Sequence, residues 1–135
     1  MSLLKLKHIT LEITSKCNLN CKYCYNIWKN PSTNEFEDFN SYKDARKTFK
    51  RLFKITDVNH VTFTGGEPLL AERFPELVLY TRMKKKTVTI ISNGSGATKK
   101  EYGQLADLGV SVIELPIHSY SKEVHDYLTE VEGSW

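Results

Sequence analysis

Short β-like runs alternate with helical patterns four times along this chain of 135 residues, and the alternation constrains the fold more than any other feature. The predicted strands are 8–14, 59–64, 87–92 and 110–118. Strands of this kind that are separated by helices run parallel, because the chain must cross back over the sheet each time. The sequence therefore predicts an α/β fold of parallel strands with helical crossovers.

Four helical patterns fill the intervals between and after these strands. Signals for helix starts precede three of them: Asn40-Ser41 as an N-cap before the first, Thr98 with Glu101 as a capping box before the third, and Ser121 before the fourth. The second covers 72–83 and carries Pro75 in its first turn, where a proline is tolerated. The third is expected to stop near Gly109, since a glycine often follows a helix end.

Three cysteines lie in one short segment, Cys17, Cys21 and Cys24, with the spacing C-x3-C-x2-C. An odd number of closely spaced cysteines does not suit a secreted disulfide framework, and it suggests a metal in a reducing compartment. A cubane iron–sulfur cluster takes four cysteine ligands. Three thiolates would leave one iron open to a small molecule, as an open position does in a catalytic zinc site.

Two other interpretations of the cysteines remain open. One is a zinc site that adds His8 or His60 as the fourth ligand, although zinc prefers two separated pairs of ligands and none follows at finger-like spacing. The other is a set of free structural cysteines, which requires three thiols to share this spacing by accident.

Three polar or glycine-rich motifs follow three successive strands. The cysteines follow the first strand, Gly65-Gly66-Glu67 the second, and Ser92-Asn93-Gly94 closes the third. In parallel sheets, function gathers at the carboxyl ends of the strands. Taken alone, the second motif is also an ordinary strand-to-helix turn, and the third an Asn-Gly turn.

One face of the predicted sheet is polar. Polar residues alternate with the apolar ones along the strands. They are Thr10, Glu12, Thr62, Thr64, Thr89, Glu114 and His118. The interior of a filled barrel carries bulky branched residues instead. A polar face indicates either an open interior that holds a ligand and water, or partial exposure at an incomplete sheet.

The composition excludes few classes of protein. A net charge of +3 and a sequence pI near 8.7 are only mildly basic, so no nucleic-acid partner is expected. The sequence has no apolar run of about 20 residues, which a membrane-spanning helix needs, and its start lacks the features of a signal peptide. The expected location is the cytoplasm, without membrane association.

The cysteine segment HITLEITSKCNLNCKYCYN resembles the signature of the radical S-adenosylmethionine (SAM) superfamily, with Tyr23 at the aromatic position of C-x3-C-x-aromatic-C. It is most similar to members that carry a C-terminal auxiliary-cluster domain. The likeness continues through VTFTGGEPLL, ISNGS and KEVHDYLTEVEGSW, so that it spans nearly the whole chain. It implies a partial (β/α) barrel of six βα units. About four are present, and residues 1–135 are expected to be a core truncated before its fourth helix is complete.

The resemblance also implies the cofactors, a [4Fe-4S] cluster and SAM. Cys17, Cys21 and Cys24 would ligate three irons, and the fourth iron would bind the amino and carboxylate groups of SAM. The other matched positions are implied SAM contacts: Tyr23 beside the adenine, Gly65 and Gly66 by close backbone approach, Glu67 to the ammonium, and Ser92 and Asn93 to the carboxylate region.

The implied activity is that of a radical SAM enzyme. An electron from a reductant such as flavodoxin or ferredoxin would enter the cluster, SAM would be cleaved to a 5′-deoxyadenosyl radical, and the radical would take a hydrogen atom from a substrate. Similarity around the cysteines suggests a peptide as that substrate. Lys84-Lys85-Lys86 is interpreted either as a solvated helix end or as a docking patch for an acidic electron donor.

Two positions depart from the family pattern. Many relatives have a serine where Pro116 falls and an arginine near Thr129, which bind the ribose and the carboxylate. Glu114 or His118 is a candidate replacement for the ribose contact. The departures leave an alternative open, a non-catalytic module or pseudoenzyme that binds an iron–sulfur cluster or zinc.

Overall fold

The computed structural model describes residues 5–26 and 42–135. These contain β1 (His8–Glu12), α1 (Tyr42–Ile55), β2 (His60–Thr64), α2 (Phe74–Met83), β3 (Thr87–Ile91), α3 (Lys99–Asp107), β4 (Val112–Glu114) and α4 (Lys122–Thr129), with a short 3-10 turn at Pro68–Leu70. The strands form one sheet in the order β1-β2-β3-β4, and every neighbouring pair is parallel. The predicted α/β fold with helical crossovers is confirmed.

The apolar face of the sheet forms the core. Phe63 of β2 stacks on Phe49 of α1, with ring centroids 5.7 Å apart, and meets Phe74 of α2 edge-on at 5.4 Å. Leu105 of α3 is buried in the same cluster. Burial of a large apolar side chain contributes about 1.5–3 kcal/mol, so α1, α2 and α3 are held on this face chiefly by apolar packing.

Several predicted boundaries differ from the observed ones. The fourth strand covers Val112–Glu114 and not 110–118, because the N–H of Val110 bonds to the carbonyl of Leu105 at the end of α3 and Pro116 has no N–H to donate. The fourth helix ends within the chain, at Thr129, so the expectation that it would be incomplete is wrong. The second helix starts at Phe74, two residues later than predicted.

The predicted capping signals have separate outcomes. Thr98 and Glu101 form the complete capping box, and the Ser121 hydroxyl accepts from the N–H of Val124. The N-cap predicted at Asn40-Ser41 lies outside the described residues. Within the described ranges, no helix combines the length and apolar character needed to cross a membrane.

The polar face carries a hydrogen-bonded cluster at the amino ends of the strands. The imidazole of His8 bonds to the Thr62 hydroxyl at 2.8 Å, and that of His60 lies 3.1 Å from the Thr89 hydroxyl. Thr62 and Thr89 are buried. This half of the face therefore satisfies its polar groups internally, whereas Thr10 and Glu12 are exposed.

Candidate cofactor site at the carboxyl ends of the strands

The turn after β2 lies directly against the start of the cysteine loop, which we define as residues 15–25. The N–H of Gly66 donates to the carbonyl of Thr14, and that of Glu67 to the carbonyl of Lys16, both at 2.7 Å. A Cβ placed on Gly66 would lie 2.1 Å from the Lys16 oxygen. Glycine is therefore needed here because two backbone segments touch. Gly65 has a φ of 132° and a Cβ position 2.4 Å from the Thr14 oxygen, so glycine is needed at this position as well.

The carboxylate of Glu67 joins the second and third motifs. It is fully buried, and its Oε1 accepts from the Ser92 hydroxyl at 2.9 Å and from the N–H of Leu69 at 3.1 Å. Its Oε2 accepts from the N–H of Asn93 at 2.7 Å. These bonds compensate the cost of burying the carboxylate. The implied contact of Glu67 with the SAM ammonium stays a prediction.

Asn93 joins the third motif to the first. Its side-chain amide nitrogen donates to the Asn18 side-chain oxygen at 2.8 Å and lies 3.9 Å from the Cys17 sulfur. The amide of Asn18 in turn donates to the Ser95 hydroxyl at 2.9 Å. The motifs after β1, β2 and β3 thus contact one another at one edge of the sheet, in the arrangement that their positions along the sequence predict.

The three cysteines are free thiols, all partly exposed. Among residues 5–26 and 42–135, no three His, Cys, Asp or Glu side chains converge as ligands of a single metal ion. The donor set, three free thiols on one partly exposed loop, is of the kind that ligates an iron–sulfur cluster.

The two histidines considered as extra zinc ligands lie far from this edge. His8 and His60 are the first residues of β1 and β2 and are partners in the sheet register, with their rings 4.8 Å apart. The cysteine loop follows the other end of β1. Because a five-residue strand spans roughly 16 Å, neither histidine shares a coordination sphere with the thiols.

Tyr23 packs against the segment that follows β4. Its ring lies 4.5 Å from that of His118, which in turn is 5.3 Å from His125. Partial burial and a hydrogen bond with Cys21 raise the pKa of Tyr23, while burial and the nearby His125 lower that of His118. Of the two candidate replacements for the ribose contact, His118 therefore lies beside the cysteine loop. Glu114 is exposed at the end of β4.

The carboxyl end of α4 supports the other side of the cysteine loop. The N–H groups of Asn20 and Lys22 donate to the carbonyls of Thr129 and Leu128 at 3.1 and 2.9 Å. These carbonyls have no partner within the helix. The Glu130 carboxylate bonds to both the Asn20 amide and the Lys22 ammonium. Thr129, near which the family pattern expects an arginine, is buried and supplies a backbone acceptor to the loop.

Lys84-Lys85-Lys86 lies at the opposite edge of the sheet. The segment joins α2 to the first residue of β3, and the Lys86 ammonium donates to the carbonyl of Val58. Its residues lie about a strand length from the thiols. The position favours the solvated helix end over a docking patch for an electron donor to a cluster on the cysteine loop.

A comparison with protein families decides the affiliation of the chain. The model of the radical SAM superfamily matches residues 11–135. The chain belongs to this superfamily. The parallel sheet with its helical crossovers is accordingly part of the radical SAM barrel, as the resemblance implied.

Named relatives cover most of this radical SAM chain. The antilisterial bacteriocin subtilosin biosynthesis protein AlbA of Bacillus subtilis is 31% identical over 134 residues, and the GTP 3′,8-cyclase of Vibrio atlanticus is 25% identical over 126 residues. These alignments cover 95% and 93% of the chain, but only 28% and 37% of the relatives. The chain therefore spans well under half the length of either relative.

Solved structures share the fold. Streptococcus suis SuiB bound to precursor peptide SuiA superposes with a TM-score of 0.73 at 20% identity, covering 96% of this chain and 28% of SuiB. BtrN in complex with AdoMet and 2-DOIA gives 0.69 at 24% identity, covering 90% of this chain and 49% of BtrN. At these identities the likeness supports the barrel architecture alone.

Three contributors to the site carried no recognisable signal in the sequence. Asn18 and Ser95 complete the bonding around Asn93, and Glu130 anchors the cysteine loop. Polar residues are common at exposed positions between cysteines, after turns and at helix ends, so these three did not stand out in the sequence. Their roles depend on contacts between distant segments.

Proposed function

We propose that this chain holds a [4Fe-4S] cluster on Cys17, Cys21 and Cys24 and binds SAM beside it, as the cofactor-binding part of a radical SAM enzyme. The observation that carries the proposal is the mutual contact of three motifs at one sheet edge. The turn after β2 bonds to the backbone of the cysteine loop, and Asn93 bonds to Asn18 next to Cys17.

The donor chemistry of the chain fits this cofactor. Three free thiols satisfy three of the four positions that cysteines fill in an ordinary cubane cluster, which leaves one iron for SAM. When bound, the two cofactors together supply a 5′-deoxyadenosyl radical that abstracts hydrogen from a substrate. The protein supplies binding, orientation and exclusion of side reactions.

Each part of the site has a separate task in this proposal. The cysteines hold the irons, and Gly65 and Gly66 bring the turn after β2 against the loop without a side chain between them. Glu67 and Ser92 fix that turn to the end of β3. Tyr23 lies on the His118 side, where we place the adenine. A reductant of the flavodoxin or ferredoxin class supplies the electron.

A peptide is the substrate class that we favour. SuiB is described as bound to a precursor peptide, and AlbA by its name serves biosynthesis of the bacteriocin subtilosin. On this chain, Thr10 and Glu12 remain exposed on the polar face of the sheet and suit contacts with a polar chain. The particular peptide and reaction are left open by this argument.

Anaerobic purification and reconstitution of the longest form that the gene encodes tests the proposal. Iron and acid-labile sulfide should be present in equal amounts, and dithionite with SAM should yield 5′-deoxyadenosine. Cys21→Ala should abolish both, because a cubane held by three thiolates cannot lose one without exposing a second iron. Lys16→Ala, which removes an exposed side chain next to Cys17, should keep the cluster.

The alternative of a non-catalytic module makes different predictions. Stoichiometric zinc in place of iron would contradict the proposal. An intact cluster without any SAM cleavage would support a pseudoenzyme, in line with the serine and arginine that are missing at Pro116 and Thr129. His8 and His60, which were considered as further zinc ligands, lie at the other edge of the sheet from the cysteine loop.

A further inference from the structure

The sulfur of Cys17 lies near two N–H donors. The backbone N–H of Leu19 donates to it at 3.5 Å, and the side-chain amide nitrogen of Asn93 lies 3.9 Å away. N–H bonds to sulfur are longer than those to oxygen because the sulfur atom is larger. The first donor belongs to the cysteine loop itself, but the second comes from the turn after β3, on another element of the fold.

The direction of the Asn93 amide follows from its other bonds. Its oxygen accepts from the N–H and the hydroxyl of Ser95, at 2.9 and 2.8 Å, so the nitrogen must occupy the other side. That nitrogen carries two hydrogens. One is directed to the Asn18 oxygen at 2.8 Å, which leaves the other for Cys17. A flipped amide would turn its nitrogen toward the N–H of Ser95.

The backbone of Asn93 is fixed by a buried group. Its N–H donates to Glu67 Oε2 at 2.7 Å, while Oε1 holds the neighbouring Ser92 hydroxyl at 2.9 Å. Glu67 is fully buried, and Ser92 is only 2% exposed. The turn that carries Asn93 therefore has little freedom to move away from the cysteine loop. Glu67 acts on Cys17 through Asn93, as a positioning residue.

From these contacts we infer that Asn93 raises the reduction potential of the cluster by donating its side-chain N–H to the Cys17 thiolate; the inference rests on the proposed function. Reduction adds one electron from the external reductant and breaks no bond. The added negative charge is shared by the thiolate ligands, so the positive end of an N–H dipole stabilises the reduced form more than the oxidised form. Hydrogen bonds to sulfur are among the factors that set such potentials.

Redox titration of the reconstituted protein without SAM, followed by electron paramagnetic resonance, tests the inference. Asn93→Ala should shift the midpoint potential to a more negative value, and Asn93→Asp should shift it further because a carboxylate replaces the donor. Gln104→Ala is the control. It removes an exposed side-chain amide from α3, outside the cysteine loop and the turns that contact it, so its potential should equal that of the unaltered protein.

The outcomes separate this inference from the proposed function. A cluster absent from the unaltered protein would remove the proposed function itself. A full cluster whose potential is unchanged in Asn93→Ala would overturn only the role of Asn93.

If neither Asn93 variant retains iron, a measurement on the unaltered protein tests whether the Asn93 amide bonds to the Cys17 sulfur. With ¹⁵N in the asparagine side-chain amides, the reduced cluster should show a weak nuclear coupling in pulsed electron paramagnetic resonance spectra. Absence of that coupling would overturn the inference.

Discussion

Glu67 and Asn93 are joined by a 2.7 Å hydrogen bond from the backbone N–H of Asn93 to the buried carboxylate of Glu67. The two residues follow adjacent strands, and the bond fastens the turn after β2 to the turn after β3. The same carboxylate accepts from the Ser92 hydroxyl. A residue that the family resemblance connects with the cofactor is thus also a structural link within the site.

Replacement of the Glu67 carboxylate should destabilise the fold. In Glu67→Gln an amide group replaces one of two oxygens that accept from buried or partly buried donors. A hydrogen bond to a charged group contributes about 1.5–3 kcal/mol, and we expect the free energy of unfolding to fall by about that amount in urea denaturation. Glu72→Gln, at an exposed position, is the control and should change it by less than about 0.5 kcal/mol. Equal stability of both variants would contradict the structural role of Glu67.

Two glycines should respond oppositely to replacement by alanine. In Gly66→Ala the new methyl group would meet the Lys16 carbonyl at 2.1 Å, and the backbone of the cysteine loop would have to move. Overpacking of this kind costs about 1–3 kcal/mol or more. Gly103 lies in α3 with nothing within 4 Å of its Cβ position.

Gly103→Ala should therefore stabilise the protein by about 0.5–1 kcal/mol, because a glycine inside a helix is unfavourable. Thermal unfolding of the two variants beside the unaltered chain measures the difference. A Gly66→Ala variant as stable as the parent would show that the turn does not lie against the loop as described.

The stability of the protein should decrease below neutral pH, in part because of His60. Burial and the nearby His8 hold the pKa of His60 below its ordinary value of 6.5. The unfolded chain therefore binds a proton more readily than the folded one. The resulting loss of stability begins as the pH falls to about 6.5 and continues down to the folded-state pKa.

Urea midpoints at about pH 7.5 and about pH 5.5 measure this effect. His60→Gln should lose less stability between the two values than the parent does, since it removes the group whose pKa is depressed. An identical loss in both proteins would assign the pH dependence to other groups, such as His118, whose pKa is also lowered by burial and by the nearby His125.

The 135-residue chain should associate through the region of β4. Val112, Leu115 and Ile117 are 47%, 53% and 77% exposed, and β4 is the last strand of the described sheet. Exposed apolar residues beside an open strand edge promote pairing between chains. Ile117→Lys should lower the apparent mass in size-exclusion chromatography at high protein concentration. Leu79→Lys, on the outer side of α2 and 43% exposed, should leave it unchanged.

The parallel fold followed from patterns within single segments. The alternation of apolar residues located β1 and β2, and the β-branched residues of 87–92 located β3. Thr98 with Glu101 marked the start of α3, because capping is also a local property. The extent of β4 was overestimated. Its length depends on which N–H groups reach β3, and the runs flanking Val112–Glu114 are as apolar as a strand.

The location of the site could be predicted from the sequence, but its hydrogen bonds and burial could be predicted only in part. The motifs pointed to one sheet edge because the carboxyl ends of parallel strands share an edge. The bonds of Asn18 and Glu130 join residues far apart in the sequence, and no local pattern encodes them. The burial of Glu67 could not be predicted from the sequence either, since an acidic residue in a turn is normally solvated.

The attachment of the cysteine loop to α4 has a consequence for the order of folding. Asn20 and Glu130 are 110 positions apart, and the loop obtains its bonds to Leu128 and Thr129 only after the fourth helix exists. During synthesis the three thiols emerge before the segment that supports them, which follows about 110 positions later. The loop thus acquires its final shape late, and delivery of iron and sulfide to it is expected to follow folding of the sheet and not to nucleate it.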